Sequence, residues 1–96
     1  MPIKIKALFK RLGQDIANAR KRRRIPVYLM AERTNLSKIT IAKIEKGSST
    51  VSMGGYALVL FVLGLDDKLF QVASYSNDTL GAMLEEEQLP KRIRLK

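Results

Sequence analysis

The composition of the 96-residue chain excludes several classes of protein. It has no cysteine and no histidine, so it can form no disulfide and no zinc–thiolate site, and it lacks the usual general base of enzymes. Its net charge of +9 is concentrated in residues 1–50, which carry thirteen Lys or Arg against three Asp or Glu. This asymmetry indicates a polyanionic partner, most simply nucleic acid.

No stretch of the sequence is long and apolar enough to span a membrane. The most apolar run, residues 56–63, is bounded by Gly55 and Gly64, whereas a spanning helix needs about 20 apolar residues. No long apolar segment follows the lysines near the N-terminus. We therefore expect no signal peptide and a cytoplasmic location.

The N-terminal part of the chain predicts an arm followed by a helix. Residues 1–8 alternate briefly between apolar and charged side chains, which fits either a loose arm or a strand. A first helix is predicted over residues 9–22, or from residue 12, because Leu12, Ile16 and Ala19 recur on one helical face.

A run of five cations, residues 20–24, lies at the end of this predicted helix. Adjacent like charges repel each other, and DNA phosphates would relieve that repulsion. We therefore predict phosphate contacts for Arg22, Arg23 and Arg24. A solvated edge that only improves solubility is the alternative interpretation.

Two short helices joined by a turn are predicted next. Pro26 fits the start of a helix over residues 27–33, because the first turn of a helix does not use the N–H group that proline lacks. Asn35 readily adopts a positive φ and predicts a turn over residues 34–36. Two short helices connected in this way, the second with a polar outer face, form a helix-turn-helix.

The second of these helices has both of its ends marked. Ser37 can cap the N-terminus, and Gly47 follows the last turn, where a positive φ costs glycine little. Ile41 and Ile44 share the inward face. The outer face fits a DNA major groove, which admits one helix, and it carries Lys38, Ile39, Ala42, Lys43 and Lys46. An amphipathic helix with solvated lysines is the alternative interpretation.

A fourth helix is predicted after a loop rich in hydroxyl groups, residues 47–52. Ser52 can cap this helix, which extends over residues 53–63 and is apolar nearly all round. Such a pattern predicts the central helix of the core. We accordingly expect Tyr56 and Phe61 to pack in the core rather than to stack on bases.

The last part of the chain predicts a fifth helix and a tail. A helix over 67–75 would complete a five-helix domain, residues 9–75. The tail, residues 76–96, contains a short helix over 79–88 and an alternating segment at 92–95 that fits a strand. We predict that the tail docks on another chain, through Leu80, Met83, Leu84, Leu89, Ile93 and Leu95. Disorder is the alternative, because chain ends are often loose.

A set of short motifs, spaced along residues 12–72, carries a family resemblance. In order they are Leu12-Gly13, Arg20, Leu29-Met30-Ala31, Asn35-Leu36-Ser37, Thr40-Ile41, Ile44-Glu45 and Gly47. With this order and spacing, the chain resembles the Xre/Cro-type helix-turn-helix family of bacterial and phage regulators. The resemblance implies an all-α, five-helix, lambda-repressor-like domain that acts as a homodimer on a palindromic double-stranded DNA operator.

The resemblance and the residues together give a set of candidate DNA contacts. The implied base contacts are Lys38, Ile39 and Lys43, with Ala42 permitting close approach. The predicted phosphate contacts are Arg22, Arg23, Arg24, Thr40, Lys46, Ser48, Ser49 and Thr50. The resemblance also implies an ion pair between Arg20 and Glu45. Val27 stands where many members have a glutamine that contacts the DNA backbone, so that contact is not carried over. For the hydroxyl loop, a plain surface loop is the alternative.

Three longer segments carry a narrower resemblance. Residues 24–33, 55–65 and 89–94 are similar to the HipB-type antitoxins, which are encoded beside HipA-type serine/threonine kinase toxins. This similarity implies repression of the protein's own operon and binding of the kinase. Two alternatives stay open: an interaction module that holds a toxin with little DNA reading, and a stand-alone phage-type repressor.

No arrangement of residues indicates an enzyme. Ser48 and Ser49 have no histidine to activate them, and Lys68 lies beside two aspartates. Gly54 and Gly55 precede an apolar helix and do not form a phosphate-binding loop. We therefore expect no catalytic activity, no cofactor and no metal.

Overall fold

The computed structural model describes residues 1–88, and every regular element within that range is helical. The predicted all-α class is thus confirmed for this part of the chain. The predicted strand at 92–95, and the predicted partner contacts Leu89, Ile93 and Leu95, lie outside the described residues. The chain divides into two compact units, an N-terminal unit of residues 1–66 and a C-terminal unit that begins at Asp67.

The element order matches most of the predicted helices. The helices are α1 (Ile3–Arg22), α2 (Val27–Thr34), α3 (Lys38–Glu45), α4 (Met53–Leu63), α5 (Asp66–Phe70) and α6 (Thr79–Gln88), with a 3-10 turn at Tyr75–Asn77. Helix α5 is shorter than expected. The Asn77 side chain donates a hydrogen bond of 2.7 Å to the Gln71 carbonyl, which folds the chain back after α5. The compact N-terminal unit ends at Asp66.

Helix α1 begins at Ile3, so the separate arm predicted over residues 1–8 is not present in that form. The brief alternation of isoleucine and lysine suggests a strand. The apolar residues Ile5, Leu8 and Leu12, however, also recur at the helical spacings i+3 and i+7. Leucine, alanine and lysine are good helix formers, and this local preference extends α1 to the start of the chain.

The core of the N-terminal unit forms where α4 packs against α1 and α2, and where α3 packs against the same two helices. Its fully buried side chains are Ile16, Met30, Ile41, Ile44 and Val59. Tyr56 is buried as predicted, but the predicted core position of Phe61 is wrong, because Phe61 is 66% exposed. Helix α4 is apolar on all sides, yet only one of its faces meets other helices of this unit.

Helices α1 to α4 all end in the same kind of turn. A residue with positive φ follows or ends each helix: Arg24 (55°), Asn35 (59°), Gly47 (78°) and Gly64 (79°). In every case the next N–H group donates to the carbonyl five residues earlier, the hydrogen bond of a Schellman motif. Glycine and asparagine adopt this conformation readily, whereas for arginine the left-handed region costs about 1–2 kcal/mol.

Helix α3 ends against the middle of α1, with a glycine on each side of the contact. A Cβ atom at Gly13 would lie 2.6 Å from both the Gly47 nitrogen and the Ile44 carbonyl oxygen. A Cβ atom at Gly47 would collide with the backbone of Phe9 and Lys10. The two backbones therefore touch directly, and any larger residue at either glycine must push α1 and α3 apart.

An ion pair between Arg20 and Glu45 joins the same two helices. The Arg20 Nε atom donates to Glu45 Oε2 at 2.6 Å, and Nη2 donates to Oε1 at 3.1 Å. The third nitrogen, Nη1, donates to the Ile25 carbonyl at 2.9 Å. The two side chains are only 11% and 14% exposed, so solvent screens the pair weakly.

We predict that Glu45→Gln lowers the free energy of unfolding by about 3 kcal/mol, because the buried guanidinium would lose its charged partner. Denaturant unfolding measures this change. Glu32→Gln, at an exposed position of α2, is the matched control and should change the free energy by less than about 0.5 kcal/mol. Equal stabilities of the two variants would contradict a structural role for the pair.

The positive φ of Arg24 leads to a second stability prediction. Arg24→Gly should raise the free energy of unfolding by up to about 1 kcal/mol, because glycine has no Cβ to clash in the left-handed conformation. Arg22→Gly, inside the last turn of α1, removes the same side chain and should lower stability by about 1 kcal/mol. If both variants are destabilised alike, the backbone at Arg24 is not strained.

Candidate nucleic-acid interface

The outer face of α3 is exposed, and its inner face is buried. The exposed residues are Lys38, Ile39, Ala42, Lys43 and Lys46. Ile41 and Ile44, on the inner face, are fully buried. Ile39 is 70% exposed, so a large apolar side chain stands in water among lysines. The predicted base contacts therefore share one accessible, cationic surface.

Hydrogen bonds of side chains fix the start of α3. The Ser37 hydroxyl oxygen accepts the Thr40 backbone N–H at 3.0 Å, as a helix cap does. The Ser37 hydroxyl also donates to Thr40 Oγ1 at 3.0 Å. Because Thr40 accepts this bond, its own hydroxyl proton stays available for an acceptor outside the protein. Thr40 can thus donate to a phosphate without losing its internal bond.

The loop between α3 and α4 is held in a defined conformation. The Thr50 N–H donates to Ser48 Oγ at 3.2 Å, and the Ser48 and Thr50 hydroxyl oxygens are 2.7 Å apart. The Tyr56 hydroxyl donates to the Ser48 carbonyl at 2.5 Å. Burial raises the pKa of the Tyr56 phenol above its usual value, so Tyr56 keeps its proton and its donor role at neutral pH. A tyrosine of α4 therefore anchors the hydroxyl loop.

A hollow of about 610 Å³ lies between α3 and the start of α4. Thr40, Lys43 and Thr50 line it, together with the backbone of Gly54 at the start of α4. The structure thus brings together two predicted phosphate contacts and one predicted base contact. Lys43 and the two threonine hydroxyl groups can hold an anion at one side of this hollow, while Leu36, Val51 and Leu58 also line it.

A second hollow, of about 380 Å³, lies between the hydroxyl loop and α1. The predicted phosphate contacts Ser48 and Ser49 line one side, and Lys6 and Lys10 of α1 line the other. Lys6 falls within the predicted arm, and Lys10 has no predicted role, so both lysines are additions to the candidate site. Their spacing of four residues, which places them on one helical face, is the sequence signal that could have found them.

The predicted arginine contacts lie at the other end of α1. Arg22, Arg23 and Arg24 are exposed, and neither hollow is lined by them. The Arg23 Nη1 atom donates to the Ala19 carbonyl at 2.9 Å, which folds its guanidinium back along the helix. At 1.5 Å per residue, Lys10 and Arg22 are roughly 18 Å apart along the axis. Helix α1 therefore carries cations near both ends.

Part of the predicted partner surface lies on α6, in the C-terminal unit. Leu80, Met83 and Leu84 are all exposed there, and their spacing places them on one helical face. The Asp78 carboxylate accepts the Gly81 N–H at 3.0 Å and caps the helix. An apolar face is thus presented by a helix with a defined start.

Comparisons with known proteins assign the chain to no family: no family model, no curated protein and no solved structure matches it. The kind of protein must therefore be argued from the residues themselves. Within residues 1–88, no helix has the length and apolar character needed to cross a membrane. The same range contains no group of three or more His, Cys, Asp or Glu side chains placed to hold a metal ion.

We predict that Tyr56→Phe lowers the free energy of unfolding by about 1 kcal/mol, because the Ser48 carbonyl would lose its buried donor. Exchange of the Thr50 amide proton should also become faster as the loop loosens, which NMR can measure residue by residue. Tyr28→Phe, at an exposed tyrosine of α2, is the control. Unchanged Thr50 exchange in Tyr56→Phe would show that the tyrosine does not anchor the loop.

Proposed function

We propose that the protein is a sequence-specific regulator that binds double-stranded DNA, with α2 and α3 forming a helix-turn-helix of the lambda-repressor-like type. The observation that carries this proposal is the outer face of α3, where three lysines surround an exposed Ile39. A major groove is wide enough to admit one such helix. A solvated amphipathic helix would explain the lysines, but it would not explain the neighbouring cationic hollows.

The chemistry of the α3 side chains suggests which bases they meet. Lys38 and Lys43 present ammonium groups, which favour the O6 and N7 acceptors of guanine in the major groove. Ile39 offers an apolar contact for the methyl group of thymine. Ala42 lies between them with a short side chain, which allows α3 to approach the base edges closely.

Contacts to phosphates would position α3 in the groove. Thr40 and Thr50, at the first hollow, can donate hydroxyl protons to one phosphate. Lys6 and Lys10, at the second hollow, add two charges beside the hydroxyl loop. Arg22 lies roughly 18 Å from Lys10, and the major groove is about 12 Å wide. Lys10 and Arg22 can therefore serve phosphates on both sides of the groove.

We further propose that this regulator is a cytoplasmic homodimer that represses its own operon as the antitoxin of a HipA-like kinase. Support comes from the resemblance of residues 24–33 and 55–65 to HipB-type antitoxins. The apolar face of α6 supports a protein partner, since DNA binding alone does not require it. A module that only held a toxin would not need the positive excess of residues 20–46.

The DNA proposal is tested by selection from a random pool of duplexes, which should enrich a sequence with two-fold symmetry. On the enriched duplex, Lys43→Ala should weaken binding by about 1–3 kcal/mol, with a smaller loss on a scrambled duplex. Lys68→Ala, at an exposed lysine of α5, should change neither affinity. Fluorescence anisotropy at one fixed salt concentration gives the six dissociation constants of the parent and the two variants on the two duplexes.

Lys6 and Lys10 should behave differently from Lys43, because they are proposed to contact phosphates and not bases. Replacing both with alanine should weaken binding to the two duplexes equally. When the titrations are repeated over a series of salt concentrations, each lost phosphate contact should flatten the log–log salt slope by about 0.9. If Lys43→Ala weakens binding to both duplexes equally, Lys43 contacts a phosphate and not a base. If no sequence is enriched, the DNA proposal fails.

The antitoxin role is tested separately. The kinase-like protein encoded by the adjacent gene should co-purify with the tagged chain in the absence of DNA. If it does not, while operator binding holds, the protein is a stand-alone repressor. If it does, while no operator is found, the protein is an interaction module.

A further inference from the structure

The first three turns of α1 expose an apolar groove that the proposed DNA site does not use. Ile5, Leu8, Phe9 and Leu12 line this groove, which has a volume of about 210 Å³. Ile5 and Leu8 are exposed. Phe9 and Leu12 are half-buried, and the Phe9 ring packs on Tyr56 with the ring centroids 6.0 Å apart. Single apolar side chains are common on protein surfaces, whereas a stripe of adjacent exposed ones can form a contact surface.

A lysine lies beside this stripe at an unfavourable place on the helix. Lys4 is next to Ile5, on the edge of the stripe away from Lys6 and Lys10 at 3.6 residues per turn. The first turn of α1 holds no acidic residue, and Pro2 supplies no side-chain cap. Lys4 therefore adds positive charge to the positive end of the helix dipole. An anionic group brought to the N-terminus of α1 would be stabilised by the Lys4 charge and by the helix dipole.

Helix α6 carries a matching surface of opposite charge. Its exposed stripe is Leu80, Met83 and Leu84, and Glu87 continues the same face one turn later. The last turn of α6 holds no basic residue. Glu87 therefore adds negative charge to the negative end of its own helix dipole. Lys4 at the N-terminus of α1 and Glu87 at the C-terminus of α6 are thus each unfavourable for their own helix dipole. The two termini are opposite in charge.

We propose that α6 of one chain docks antiparallel in the α1 groove of a second copy of the chain. The antiparallel direction sets Leu80 near Leu12 and brings Glu87 beside Lys4. Both helix dipoles then meet a charge of the favourable sign. Every chain carries both surfaces, so a pair of copies that makes this contact twice is a two-fold dimer. This inference rests on one part of the proposed function, the homodimer. It does not depend on sequence-specific DNA binding.

Charge exchange between the two helices tests the contact. Sedimentation equilibrium of the full chain without DNA gives the dimer dissociation constant. Lys4→Glu alone, or Glu87→Lys alone, should weaken dimerisation about tenfold, because each creates two like-charge contacts. An equal mixture of the two variants should regain the parent constant, because both contacts in the mixed dimer join opposite charges. Added salt should weaken the parent dimer.

The control lies on the same helix. Glu85→Lys makes the same charge change on the opposite face of α6, so it should leave the dimer constant unchanged. Leu8→Glu, which puts a charge into the groove at an exposed position, should weaken dimerisation at least as much as Lys4→Glu.

Two results would overturn the contact. One is a parent chain that stays monomeric at millimolar concentration. The other is a mixture of Lys4→Glu and Glu87→Lys that associates no better than either of these two variants alone. Neither result touches the duplex selection, so a failure here and a failure of DNA reading are distinguishable.

Discussion

The contact between α1 and α3 is the constraint on which the N-terminal unit depends. At Gly13 and Gly47 the two backbones approach so closely that neither position has room for a Cβ atom. Seven residues further along α1, Arg20 holds Glu45 with two hydrogen bonds and the Ile25 carbonyl with a third. A close backbone contact fixes distance, and a bidentate ion pair fixes rotation. Together they restrain α3 from sliding or turning on α1.

The close contact with α1 matters because the candidate base contacts lie on the opposite, outer face of α3. Ile41 and Ile44 hold the inner face in the core, and Ser37 caps the first turn, so the outer side chains project from a fixed axis. Reading bases requires groups held in register with the phosphates. The hydroxyl loop, tied to Tyr56, continues from the same fixed end. The candidate base contacts and the candidate phosphate contacts are thus positioned by one set of interactions.

The parts that the sequence predicted well are those with local signals. Ser37 and Gly47 mark the ends of α3, and Ser52 and Gly64 mark those of α4, so these bounds agree with the structure. The exposure of Phe61 could not be predicted, because the sequence of a helix that is apolar on every side does not indicate which face packs against its neighbours. Lys6 and Lys10 were missed for a related reason: their meeting with Ser48 and Ser49 depends on the long-range contact of α1 with the end of α3. The ion pair between Arg20 and Glu45 was predicted only from the family resemblance. Its partners are twenty-five residues apart, so no local pattern indicates it.

Arg24 has a consequence for the divergence of proteins like this one. The turn after α1 has the backbone of a glycine position, and the chain instead places a cation there, in the left-handed region. Folding alone would favour glycine at this point. If the protein binds DNA as we propose, a relative with glycine at this turn should fold more stably and bind a duplex less tightly, so the choice of residue here sets stability against affinity.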